Sequence, residues 1–339
     1  MNDGEIKVYG RRWLVLGVFV VMAAMTQVLW LTFAPITGPA AAFYGKSDLM
    51  IGLLSMVFMI VYILAAVPAA WAIDTWGFRA AAGLGAVLSA VFALVRGIFA
   101  DDYTVVLAAQ IGIAFGQPLV IGAITKVAAR WFPARERATA SGLGTLALYV
   151  GPLAAMLLSP TLFLSLGMGR MLVVYGLAMA AAAVLFLAVA RERPPTPAGS
   201  DERALMFDGL KAMLRRRDFL LLLAVFFIGL GLFNSVSTWV EDIVRPRGFT
   251  ISQAGLLGAL MLAGGIAGAV AIPIASDKAR RRKPFIVAAL VGLLPGLLGM
   301  TFAASAWLLF LSGFVFGFFL LSAGPIAFQY AAEITYPAP

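Results

Sequence analysis

Asp74-Thr75-Trp76-Gly77-Phe78-Arg79 is a short polar turn between two long apolar runs. An acid, a glycine that tolerates a tight turn and an arginine opening the next run make a compact device for clamping one helix end against another. The segment has an echo. Ser276-Asp277-Lys278-Ala279-Arg280-Arg281-Arg282 also lies between long apolar runs, and Asp277 follows Asp74 by 203 residues. The aromatic-proline pair Phe132-Pro133 recurs as Tyr336-Pro337 at an offset of 204. The two offsets agree, so the chain reads as two related halves.

The runs around this turn need a bilayer. Of 339 residues, 62% are hydrophobic and only 12% charged, with a mean hydropathy of +0.98, whereas a soluble domain carries about 25% charged residues. There is no cysteine and no histidine. That excludes disulfides and thiolate metal sites and removes the commonest general base and proton relay, so an enzyme, a metal site and a bound cofactor are all disfavoured. Spanning hydrocarbon takes about 20 apolar residues, and ten runs qualify: 13–38, 49–72, 79–99, 103–129, 138–158, 167–190, 218–240, 252–275, 284–304 and 306–330. The first run is a full span with no small-residue cleavage site at its end, so it reads as a retained helix rather than a signal peptide.

Breakers interrupt two runs. Pro35, Gly38 and Pro39 lie near the end of the first, and Gly116-Gln117-Pro118 within the fourth. Pro118 cannot donate to the carbonyl of Ala114, so the fourth helix is expected to bend there. Irregular backbone at membrane depth survives only against protein or a water-filled cavity, which makes this helix a cavity candidate.

Lys and Arg divide 20 to 5 between the alternating loops, with the N terminus and the linker on the basic side. The positive-inside rule therefore predicts a cytoplasmic N terminus in a multi-pass plasma-membrane protein, and the net charge of +9 leaves nucleic acid nothing to explain. Residues 191–217 hold Pro194, Pro195, Pro197 and Gly199 and then Arg215-Arg216-Arg217. This reads as a cytoplasmic linker, ending in a short surface helix, between an N-terminal six-helix bundle (1–190) and a C-terminal bundle (218–339) with four helices present. The expected fold is all-α and integral to the membrane: two parallel repeats with a substrate site between them. Measured against the 203-residue offset, counterparts of 138–190 have no sequence, so the expectation is a twelve-helix scheme lacking its last two helices.

Asp74, Gly77 and Arg79 resemble the signature between helices 2 and 3 of the major facilitator superfamily, and Asp277 with Arg280 to Lys283 resembles its second copy. Gly144 and Gly151-Pro152 are similar to the family's glycine-rich motif in the fifth helix, and Arg130 to Arg137 to the loop after the fourth. The resemblance implies transport by alternating access, with Asp74, Gly77, Arg79, Asp277 and Arg280 as gating residues. Phe43-Tyr44-Gly45, Leu54 to Met59, Leu230 to Thr238 and Glu333 to Pro337 further resemble the feline leukaemia virus subgroup C receptor family, described as choline, ethanolamine or haem transporters. In that likeness Trp30 and Gln117 match the tryptophan and glutamine of the choline cage, while Asn234 stands where the family has a tyrosine.

No acidic residue falls in the middle of a span. Proton-coupled carriers usually need one in the pathway, so facilitated movement is expected. A cation without a carboxylate must be held by aromatic faces and amide oxygens, roles that suit Trp30 and Gln117; each cation–π contact is worth roughly 0.5–2 kcal/mol. At about 1.5 Å per residue, Trp30 lies about 25 Å above Trp13 and Gln117 about 20 Å above Arg130, so one ligand could reach both. Position alone also allows Trp30 in an outer aromatic belt. Tyr62, Phe233, Asn234 and Trp239 are further, weaker substrate-site candidates, for each of which packing is the stronger reading. Lys126 and Arg96 are expected at helix ends, with Lys126 snorkelling to water.

The sequence therefore predicts a monomeric carrier of a small choline- or ethanolamine-like amine. The alternatives are an organic anion or haem carrier, or a non-transporting receptor on a transporter scaffold.

Overall fold

The computed structural model describes residues 9–194 and 216–335. Among the described residues every regular element is helical: α1 (Arg11–Leu31), α2 (Thr37–Tyr44), α3 (Asp48–Trp76), α4 (Phe78–Ile98), α5 (Tyr103–Ile121), α6 (Ile124–Trp131), α7 (Ala134–Leu166), α8 (Met168–Val189), α9 (Arg217–Thr238), α10 (Val240–Val244), α11 (Ile251–Ala279), α12 (Lys283–Phe302) and α13 (Ala306–Thr335). Among the described residues, ten helical stretches are long and apolar enough to cross a membrane. The surface helix expected at the end of the linker, and Tyr336-Pro337, lie outside the described residues.

Helix ends form where the sequence supplies caps. Ser47 accepts from the Met50 N–H, Asp102 accepts from the Thr104 and Val105 N–H groups, and Thr250 and Gln253 form a reciprocal capping box. Each such cap is worth about 1 kcal/mol. Two reversals use a single residue. Gly77 (φ 88°, ψ 163°) alone joins α3 to α4, and Gly167 (φ 78°, ψ 174°) alone joins α7 to α8. That backbone region is essentially open only to glycine.

The first and fourth spans are both discontinuous. The first passes from α1 through a buried 3₁₀ turn, Ala34–Ile36, into α2. In the fourth, the expected disruption at Pro118 is displaced. Pro118 sits inside α5, and the helix gives way at Gly122-Ala123, where the Gly122 N–H still reaches the Pro118 carbonyl. A proline frees the carbonyl one turn before it, yet its own carbonyl remains a good acceptor, so the helix persists one turn beyond. Gly122 then packs so closely on Ile73 of α3 that a Cβ there would lie 2.9 Å from the Ile73 side chain.

The contacts divide the chain into two compact units, Met1–Phe33 with Thr37–Leu205, and Ala34–Ile36 with Met206–Pro339. In the first, α4 packs between α5 and α8, α1 packs on α7 and α8, and α3 on α5. Gly151 brings α7 against the Ala24 carbonyl of α1, the close approach that small residues permit in membranes. In the second, α13 packs on α11 and α12, with Gly264 and Gly268 of α11 against the Phe314 and Phe318 carbonyls. Leu222 of α9 joins Ile286, Ile326 and Ala327 in a buried cluster.

Candidate functional site

The turn at Gly77 is held from a distance. Gly77 has no side chain with which to cap α4, so the first N–H groups of that helix need an outside acceptor. Glu192, just past α8, supplies it. Its carboxylate accepts from the Phe78 N–H at 3.1 Å and the Arg79 N–H at 2.7 Å, and it pairs with Arg130 of α6. An anion at a helix N-terminus also meets the positive end of the helix dipole. The Arg79 side chain is exposed and donates to the Leu187 carbonyl at 3.0 Å rather than to Asp74.

Asp74 pairs instead with Lys126 of α6, Nζ to Oδ1 at 2.6 Å. The side chains are 15% and 12% exposed. Lys126 is therefore clamped against α3 and does not snorkel to water; its stem from the short α6 reaches the last turn of α3. In the second copy of the signature, Asp277 pairs with Arg282. Arg282 also donates to Ser276 Oγ at 3.2 Å. Arg280 is an exposed C-cap in the left-handed region (φ 52°), its N–H turned to the Ser276 and Asp277 carbonyls.

Arg96 lies in the last turn of α4, the helix end expected for it, and it is wholly buried there. Its guanidinium donates to the Leu29 carbonyl at 3.2 Å, to Gln110 Oε1 at 2.5 Å and to Thr32 Oγ1 at 3.1 Å, and lies 5.7 Å from the Phe33 ring centroid. Gln110 passes the network on, donating to the Leu54 carbonyl at 2.9 Å. Five donors in a planar fork let one arginine tie α1, α4 and α5 together just before the 3₁₀ turn.

The proposed cage residues divide between the two units. In the first, Trp30 is 5% exposed; its indole N–H donates to the Ser55 carbonyl at 3.2 Å, while Ser55 Oγ donates back to the Trp30 carbonyl. What Trp30 can offer a ligand is thus its ring face. Gln117 is 2% exposed, and its amide has no hydrogen-bond partner among the described residues, in contrast to Gln110. Its height above Arg130 is not that of a straight helix, since α5 and α6 are broken between them. Tyr62 lines a cleft with Asp74 and Lys126.

In the second unit, Phe233 is buried in α9. Asn234 turns its amide onto its own helix, donating to the Leu230 carbonyl at 2.8 Å. Trp239 caps the end of α9, and next to it Glu241 is buried in α10 beside Arg245. Glu192 was the functional side chain missed. The signal for it was the absence of any capping side chain at Gly77.

Residues 14–338 match the family model described as Major Facilitator Superfamily. The chain is 33% identical to solute carrier family 49 member A3 of Danio rerio, an alignment covering 97% of this chain and 73% of the relative. It is 28% identical to the choline/ethanolamine transporter FLVCR1 of Felis catus, covering 96% of this chain and 63% of that protein. Among solved structures, it resembles a bacterial homolog of the human lysosomal transporter Spinster in an inward-facing, unoccupied conformation. That match has a TM-score of 0.75 at 16% identity and covers 97% of this chain and 79% of the other.

Proposed function

This chain belongs to the major facilitator superfamily, within solute carrier family 49, and we propose that this membrane transporter moves a small organic amine of the choline or ethanolamine type. The feline relative named for those substrates supports the cargo class. The observation that carries the reading is Gln117, a residue 2% exposed within a membrane span whose amide makes no hydrogen bond among the described residues. An amide so placed is costly unless something polar visits it. Trp30, with its N–H already bonded to α3, has its aromatic face left to offer an ammonium.

An organic anion would need a cation to receive it. Lys126 is paired with Asp74 and does not favour that alternative; Arg96 donates to three acceptors within its own network and keeps only its Nε–H without a hydrogen-bond partner among the described residues. We take the scheme to be alternating access by the bundles 1–190 and 218–339 about the linker 191–217, in a plasma membrane with the N terminus cytoplasmic. Asp74 lies at a helix end and already holds a cation, which suits facilitated rather than proton-coupled movement.

The test is uptake of labelled choline and ethanolamine into proteoliposomes by the wild type, Trp30→Ala and Gln117→Ala. Uptake by the wild type that falls in both variants is expected. Equal uptake in all three would remove both residues from the site, and binding without counterflow would make the chain a receptor.

A further inference from the structure

We propose that the cleft between α3 and the broken fourth span is a second ligand site, selective for a primary ammonium, with Asp74 as counter-ion and Lys126 as a resident occupant that the ligand replaces. The cargo class rests on the function proposed above; the site itself rests on geometry. Tyr62, Ala66, Ala70 and Asp74 recur every fourth residue and so form one stripe of α3. Facing them are Pro118, Gly122, Thr125 and Lys126, from either side of the break at 122–123. The small residues leave a cavity of about 190 Å³, against about 10–15 Å³ needed for one water.

Charge and shape define what fits. Lys126 Nζ lies 2.6 Å from Asp74 Oδ1, a contact that requires an N–H donor on the cation. A primary ammonium reproduces it. A quaternary ammonium has no N–H, and its methyl groups hold the charge farther from the carboxylate. Replacement puts one ammonium in the place of another at Asp74, and the displaced Lys126 ammonium is taken up by water. Lys126 is suited to yield, because its stem is flexible and α6 is only eight residues long, cut off from α5 by the turn at Gly122-Ala123. Discontinuous helices lining a polar cavity recur at the ion and substrate sites of transporters.

The experiment is equilibrium binding of ethanolamine and choline to the full chain in nanodiscs, for the wild type, Lys126→Met and the double variant Asp74→Asn with Lys126→Met. Removing the resident ammonium is expected to tighten ethanolamine binding about tenfold, which corresponds to about 1.4 kcal/mol, and to leave choline within about twofold. The double variant should show no gain. Equal tightening of both amines in Lys126→Met, or none, overturns the proposal. If Lys126→Met does not fold, the wild type and the neutral double variant decide: a wild-type preference for ethanolamine over choline that the double variant loses supports the site, and no such preference, or its retention in the double variant, overturns it. The function proposed above fails separately, as absent amine uptake by the wild type, and that outcome leaves the Lys126→Met gain to be measured by itself.

Discussion

The carboxylate of Glu192 accepts the backbone N–H of Arg79 at 2.7 Å across 113 residues of chain, so the start of α4 is capped by the segment that follows α8. The same carboxylate pairs with Arg130, which joins three elements at one end of the first unit. Glu192→Ala should therefore lower thermal stability by about 1–2 kcal/mol, the range for a lost cap. Glu192→Gln keeps an acceptor and should lose less. Thermal unfolding in detergent, compared across the two variants, measures how much of the effect is charge.

Gly77→Ala and Gly167→Ala place the same methyl group on nearly the same backbone. Both should lose stability, by roughly 1–3 kcal/mol for a residue forced into this region. A Cβ at 77 also runs into the Glu192 carboxylate, whereas one at 167 meets nothing within 4 Å. Gly77→Ala should be the more damaging, and coupling it with Glu192→Ala should recover the difference.

Arg96→Lys retains the charge but cannot span Leu29, Thr32 and Gln110 with one planar group. A loss of about 2 kcal/mol is expected, the worth of a hydrogen bond to a charged group. Melting temperature and expression yield report it, and an unchanged melting temperature would deny the network a structural role.

Gln110 and Gln117 provide a matched pair, seven residues apart on α5 and both buried. Gln110→Ala deprives Arg96 of an acceptor and should cost about 2 kcal/mol of stability. Gln117→Ala breaks no hydrogen bond among the described residues and should stay within about 1 kcal/mol of the wild type while impairing uptake. The reverse pattern would move the ligand contact to Gln110.

The ten spans were legible because bilayer thickness imposes a run length that composition alone reveals. The discontinuity of the first and fourth spans was legible from Pro35 and Pro118, but its position was not. Where a proline-bearing helix gives way depends on what packs one turn later, here Gly122 on Ile73. Three charges whose partners were not legible share one cause. Arg96, Lys126 and Glu192 look like helix-end or linker charges in sequence, and their partners lie 14 to 114 residues away. Local periodicity carries no trace of such pairings. Trp30 and Gln117 could be singled out by a family likeness, but only side-chain geometry shows that Trp30 has spent its N–H and that Gln117 keeps its amide.

The single-residue joints at Gly77 and Gly167 leave no slack at two of the chain's reversals. Helices joined by one residue have their ends held within two Cα steps of about 3.8 Å each. The facing ends of α3 and α4, and of α7 and α8, must therefore stay together, while the angle between the helices is left to the neighbours they pack on. Reporter tags and protease sites for topology mapping belong at residues 45–47 or 99–102, where the connections are longer. An inserted residue at 77 or 167 would act as a wedge, and distance labels placed in the turns next to either joint should record the same separation with and without ligand.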